Sequence, residues 1–312
     1  MILAVSLNPA LDVTHHVAGV DWSGVNRPRQ VAAAPGGKAL NVARTLRALG
    51  CEALVIGLAG GVTGEAVSTG LDEAGVASRF TPVAGETRRT FAVVDTRRHD
   101  TALFNEPGPT VSAGEYEEFL VLYEESLAWC SAVVLSGSLP PGLPQDSYAG
   151  LAARAAAAAV PVVLDAAGPA LRHGAAAGPA IAKPNLAELA AAVGRPLSGR
   201  DATARAAGEL REAGAGAVVV SLGGDGLLAV TGDGTWHAAP PGAVAGNPTG
   251  AGDAVVAGLA HGLVLGRPWA ERLRHAAALG TASVAAPAAG QFAAADYEQA
   301  LAGTRVTRWA DG

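Results

Sequence analysis

The feature that most restricts the fold of this chain is an alternation that sets in near residue 130. Three short apolar runs, at 132–136, 161–165 and 217–222, have the length and continuity of strands buried on both faces. Between them lie stretches of helical character at about 146–159, 185–193 and 201–213, and two more follow at about 250–265 and 268–286. Parallel strands need a crossover, and helices are the usual crossover. The pattern therefore predicts an α/β fold: a three-layer α/β/α core around a mostly parallel sheet.

Two early segments break the alternation. Residues 90–95 and 101–105 flank a polar loop and read as a β-hairpin, and 13–20 and 29–34 read as two more short strands. Together these would form a small β-sheet lid, from about 12–34 and 88–106, inserted in a single unit spanning 1–312 and too thin to stand alone. A later hairpin, 227–230 with 235–238, would extend the core sheet. Helix ends are marked too. Ser112 and Glu115 have capping-box spacing, and Gly50 follows a helix at about 39–49 where a left-handed cap belongs.

Composition excludes whole classes. The net charge is −6 with no block of like charge, which argues against nucleic-acid and membrane-surface partners. No apolar stretch is long enough to span a bilayer, and residues 1–7 read as a strand rather than a leader. Cys51 and Cys130 read as ordinary thiols in a reducing cytoplasm. The seven histidines have no metal-ligand spacing with cysteine, and neither a G-x-x-x-x-G-K-[ST] loop nor a G-x-G-x-x-G fingerprint occurs.

Of the 22 basic residues only two are lysines, Lys38 and Lys183. Asparagine is also scarce: Asn8, Asn26, Asn41, Asn105, Asn185 and Asn247. Where these rare residues sit is informative. Asn247-Pro248-Thr249-Gly250-Ala251-Gly252-Asp253 runs directly into a helix. Small residues opening a helix expose free N–H groups to an anion, and an Asp in that turn would lie beside it. Phosphoryl transfer uses such a pairing, although a glycine-rich loop with a dipole-favoured Asp reads the same way. In Lys183-Pro184-Asn185-Leu186-Ala187-Glu188, Asn185 and Glu188 make a capping pair without any function. That pair does not account for Lys183, which reads as a phosphate cation, with Glu188 and Asn185 as Mg²⁺ ligands through water.

Gly36-Gly37-Lys38-Ala39-Leu40-Asn41 again sets glycines and a lysine at a helix start. Asn8-Pro9-Ala10-Leu11-Asp12 reads as the end of the first strand, with Asp12 at its carboxyl edge. Ser136-Gly137-Ser138 and Asp165 end two other strands, and Ser221-Leu222-Gly223-Gly224-Asp225-Gly226 a third. Ligands of open α/β sheets bind outside those carboxyl ends, so these residues can converge.

Taken in this order, from Leu7 to about Ala286, the motifs resemble the ribokinase-like PfkB carbohydrate kinases, in the branch that acts on hexose phosphates. The resemblance implies an α/β sandwich whose lid closes over the sugar and pairs two subunits as a homodimer. It implies Asp253 as catalytic base, with the amides of Gly250, Ala251 and Gly252 as an anion hole. Lys183, Asn185 and Glu188 would serve the phosphates of ATP and Mg²⁺, and Ser221, Gly223 and Gly226 would line the nucleotide site. Asp12, Gly37, Lys38 and Asn41 would hold the sugar, with Arg88 and Ser138 at its phosphate and Arg27 reaching in from the lid. Ala39 stands where this branch usually has glycine, and Asn247-Pro248 where many members have Asp or Ser followed by Thr. The implied activity is phosphorylation of a ketohexose phosphate such as fructose 1-phosphate, with tagatose 6-phosphate or fructose 6-phosphate as alternative acceptors. Charge favours the same branch: a chain at −6 that binds two polyanions must concentrate cations locally. A free-sugar or nucleoside kinase, or a non-catalytic sugar-phosphate sensor, are the competing readings.

Overall fold

A computed structural model of the chain describes residues 1–309 apart from His99, Ala243 and Ala245. Among the described residues, ten strands form one sheet. Its centre is β1 (Ile2–Ser6), flanked by β4 (Ala53–Ala59) and β5 (Ala77–Pro82) on one side. On the other side follow β8 (Ala132–Ser136), β9 (Val162–Asp165), β10 (Ile181–Ala182) and β11 (Val218–Ser221). These seven are parallel. The hairpin β12 (Leu227–Thr231) and β13 (Gly234–Ala239), then β14 (Arg305–Trp309), complete the sheet antiparallel.

The continuous apolar character of the central strands has a simple cause. Val133 and Leu135 pack into one helical layer and Val134 into the other, and Val162, Val163 and Leu164 divide in the same way. The first layer includes α3 (Ala113–Leu127), α4 (Ser147–Ala157), α5 (Gly168–Ala176), α6 (Leu186–Val193) and α7 (Gly199–Glu212). The second is built from α1 (Lys38–Ala48), α8 (Ala251–Val264) and α9 (Trp269–Val284). Helices α2 (Gly61–Glu73) and α10 (Ala294–Gly303) complete the set. Gly50 takes the left-handed conformation (φ 75°) with its N–H on the Arg47 carbonyl, the cap expected after α1.

The small sheet has the order β3-β2-β6-β7, from β2 (Ala10–Val17), β3 (Gln30–Gly36), β6 (Arg88–Asp95) and β7 (Asp100–Asn105). Here the sequence reading needs a correction. Strand β2 begins at Ala10, so Asp12 belongs to the lid and pairs with Ala34 and Thr90 rather than ending β1. Only Leu7, Asn8 and Pro9 separate the core strand from the lid strand, which makes the passage between the two sheets abrupt.

Candidate active site

Four chain segments deliver charge to one place. Strand β9 ends on Asp165, and Lys183 follows β10, its own N–H bonded to the Leu164 carbonyl. Lys38 opens α1 through Gly37, whose φ of 108° suits glycine. Gly36 leaves room for the Asp12 carboxylate, which lies 2.1 Å from where a Cβ would stand. The two lysines of the chain both reach Asp165: each Nζ lies 3.3 Å from its Oδ1. Its Oδ2 accepts from Ser136 Oγ at 3.3 Å. Burial pushes the Asp165 carboxyl up, but the Lys183 and Lys38 ammonium groups outweigh it and hold the group ionised, below its ordinary value. Lys38 also lies 3.5 Å from Glu188 Oε1. Burial works against its charge, yet the Asp165, Glu188 and Asp253 carboxylates raise its pKa well above the ordinary value.

Helix α8 supplies the opposing wall. Its N-cap, Gly250, is left-handed (φ 88°), and a Cβ there would press on Ala289 at 2.6 Å. The Ala251 N–H is spent on the Pro248 carbonyl at 3.1 Å. Among the described residues the N–H groups of Gly250, Gly252 and Asp253 have no intramolecular acceptor. Lys183 stands over this turn, with Nζ 3.7 Å from where a Cβ on Gly252 would lie. Free amides and an ammonium group thus face one volume, as an anion requires. Asp253 is buried in the first turn, its Oδ2 accepting from Asn41 Nδ2 at 2.9 Å. Burial, helped by the nearby Asp165 charge, pushes the Asp253 carboxyl up to about 7 against the pull of Asn41 and both lysines.

On one flank, Asn185 and Glu188 form the reciprocal cap of α6. Glu188 Oε2 accepts from the Asn185 N–H at 2.8 Å, which leaves Oε1 for Lys38. Ser221 is tied to Pro184 by its N–H at 3.1 Å, so the β11 loop runs alongside. Gly223 (φ 61°) has nothing within 4 Å of a Cβ position and borders open space. Gly226 has a structural reason of its own: at φ 86°, a Cβ would meet the Ala238 carbonyl at 2.0 Å.

On the other flank lie Asp12, Arg88 and Ser138. Burial lifts the Asp12 carboxyl above its ordinary value, opposed by a Thr90 hydrogen bond and by Arg88 and Arg44. Arg88 Nε donates to the Asn8 carbonyl at 3.2 Å, and Ser138 Oγ accepts from Asn8 Nδ2 at 3.1 Å. Arg27 is not brought to these groups. It lies on the exposed segment between β2 and β3, without a hydrogen bond or ion pair to another described residue. Asp165 and Asn8 are placed at strand ends by the sequence without a role of their own, and Arg44 is not singled out by it at all. Arg44 follows Asn41 by three positions and so shares its helical face, a legible signal.

The model of the pfkB family of carbohydrate kinases matches residues 7–295. The chain belongs to that family. It is 35% identical over 283 residues to 1-phosphofructokinase of Bacillus subtilis (strain 168), covering 91% of this chain and 92% of that one. It is 37% identical over 281 residues to 1-phosphofructokinase of Rhodobacter capsulatus, covering 89% and 88%. Phosphofructokinase-2 from Escherichia coli, in complex with fructose-6-phosphate, superposes with a TM-score of 0.88 at 29% identity, over 96% and 98%. The chain is thus a phosphotransferase with a carbohydrate acceptor, and as a kinase of this family its donor is ATP. No helix among the described residues is long and apolar enough to cross a membrane.

Proposed function

We propose that the chain transfers the γ-phosphoryl group of ATP to fructose 1-phosphate, giving fructose 1,6-bisphosphate and ADP. The observation that carries this reading is the seat of Asp253: a buried carboxylate, oriented by Asn41, in the open first turn of α8 and beside both lysines. Asp253 orients the acceptor hydroxyl and takes its proton late, as a loose transition state demands. The free amides of Gly250 and Gly252, with Lys183, stabilise charge on the group in transit, while Ala251 shapes the turn. Asp12, Gly37, Lys38 and Asn41 hold the sugar, and Arg88 and Ser138 its phosphate. Ser221, Gly223 and Gly226 border the nucleotide.

Glu188 fits a hard cation, because one of its oxygens lies outside the cap and points into the charged cluster. The Asn185 carbonyl oxygen already accepts from the Glu188 N–H, which suits contact through water rather than direct ligation. Mg²⁺, when bound there with ATP, would neutralise charge on the β- and γ-phosphates.

The acceptor rests on the two relatives named 1-phosphofructokinase. We place the enzyme in the cytoplasm, in keeping with two free thiols. We also assign the outer face of the lid, opposite Asp12, to a second copy of the chain, since Val31 and Phe104 lie exposed there. In such a dimer Arg27 could act across subunits. An acceptor panel at fixed ATP, read as ADP formed, tests the reaction. Fructose 1-phosphate should give the highest kcat/KM, above fructose 6-phosphate and tagatose 6-phosphate. Turnover confined to unphosphorylated ribose or adenosine would overturn the reading, and no ADP with any ketohexose phosphate would favour a sensor.

A further inference from the structure

Asn8 lies where the core strand β1 passes into the lid strand β2, and its carboxamide is buried, with 6% of the residue exposed. Its Nδ2 donates twice, to the Pro107 carbonyl at 3.0 Å and to Ser138 Oγ at 3.1 Å. Pro107 is where the chain leaves the lid, two residues beyond β7. The backbone carbonyl of Asn8 accepts from Arg88 Nε at 3.2 Å. One residue therefore touches the exit from the lid, the first residue of β6 and the loop after β8.

These bonds fix the chemistry of two neighbours. A peptide carbonyl can only accept, so the Pro107 contact sets which end of the Asn8 amide is the NH₂. Both its hydrogens are then used. Ser138 Oγ receives one of them, so its own proton points elsewhere, and Ser138 is exposed. Arg88 is pinned at Nε by Asn8 and at Nη1 by the Glu106 carbonyl at 3.4 Å, and among the described residues its Nη2 has no partner. The Asn8 Oδ1 has none either, and a Cβ on Gly108 (φ 95°) would fall 2.2 Å from it. Only glycine lets the returning chain pass so close to this amide.

We propose that Asn8 is a positioning residue for the acceptor's phosphate: it turns the Ser138 hydroxyl outward as a donor and pins the Arg88 guanidinium beside it. A hydroxyl and a guanidinium aimed together suit a phosphate dianion. Because the same amide grips the exit of the lid, lid placement and phosphate recognition are set by one side chain. This inference rests on the sugar-phosphate reading above.

Asn8→Asp tests it at constant shape. A carboxylate cannot donate to Ser138; it accepts the hydroxyl proton instead and turns the donor inward. The expected result is a KM for fructose 1-phosphate raised at least about tenfold, the worth of one hydrogen bond to a charged group, with KM for ATP held within about twofold. A lesion that merely loosened the lid would lower kcat and raise ATP hydrolysis without acceptor. Where the aspartate variant fails to fold, Asn8→Ser removes the amide without adding charge and is read in the same way. Ser138→Ala in the wild-type background should reproduce the KM defect, and combined with the Asn8 variant should add little to it. A fructose 1-phosphate KM that stays near the wild-type value, or rises together with that for ATP, overturns the role of Asn8. A wild-type enzyme indifferent to the acceptor's phosphate overturns the functional reading, and this inference with it.

Discussion

Six of the described helices carry an acid at the third position of the first turn, and in three of them, α3, α6 and α8, the acid meets a different fate. In α3, Glu115 is spent on structure: Oε2 accepts from the Ser112 N–H at 2.7 Å and Oε1 from the Ala84 N–H at 2.6 Å. In α6, Glu188 gives one oxygen to the same reciprocal cap and keeps the other, 3.5 Å from Lys38. In α8 there is no side-chain cap, and Asp253 makes its hydrogen bond with Asn41 on a different helix. The local sequence logic is shared; what differs is how much of each carboxylate backbone hydrogen bonds consume, from the helix cap and, for Glu115, from Ala84 as well. An acid left over after its cap is satisfied, and buried or paired with a distant cation, is the one free for chemistry.

The largest effect belongs to the acid that the helix uses least. Asp253→Asn should lower kcat by at least about a hundredfold. Near-normal turnover would reduce Asp253 to a buried helix-start residue. The wild-type kcat/KM should fall as pH drops below about 7, because the protonated carboxyl can no longer accept the hydroxyl proton. Stability should move the other way. A carboxyl whose folded pKa lies above its unfolded value favours the folded state at low pH, and that contribution is lost as pH rises through about 7. Asp253→Asn should therefore melt above the wild type at pH 8, with the gap closing toward pH 5. Melting curves at both pH values, beside turnover, would show whether activity and stability separate at this position.

Glu188→Gln probes the divided acid. Glutamine can still complete the cap, so unfolding free energy should stay within about 0.5 kcal/mol. The charge that faces Lys38 and the proposed cation is lost, so activity should need more Mg²⁺, and kcat should drop about tenfold at saturating ATP. A Mg²⁺ titration that overlays the wild type would make Glu188 a cap and nothing more.

Much of this was legible in the chain, for identifiable reasons. Strands β8, β9 and β11 are buried on both faces, so their apolar runs mark them to within about two residues. Both reciprocal caps and the Gly50 turn depend on local chemistry alone. What depends on tertiary contact was not legible. The rarity of lysine pointed at Lys38 and Lys183, but nothing local says that they share one oxygen of Asp165, 127 residues beyond the first of them. Asp12 looked like a strand end because Asn8-Pro9 suggests a stop, whereas the chain crosses directly into the lid. Strand β14, the sheet's edge, carries Arg305 and Arg308 and so has no continuous apolar run to mark it. Gly226 reads as part of a ligand loop, and the Ala238 carbonyl explains why it must be glycine.

The smallest effect is expected at α3, and it closes the series. Ser112 Oγ accepts from the Glu115 N–H at 3.3 Å, and no ion pair engages Glu115 among the described residues. Ser112→Ala removes one half of the cap and should cost about 1 kcal/mol of unfolding free energy. Because that acid is wholly engaged by structural hydrogen bonds, kcat and both KM values should stay at wild-type levels. Denaturant unfolding would show the loss as a lower midpoint at unchanged slope. If Ser112→Ala impaired turnover as Glu188→Gln is expected to, the division between spent and spare acids would fail, and helix-start acids here would act through the stability of the fold.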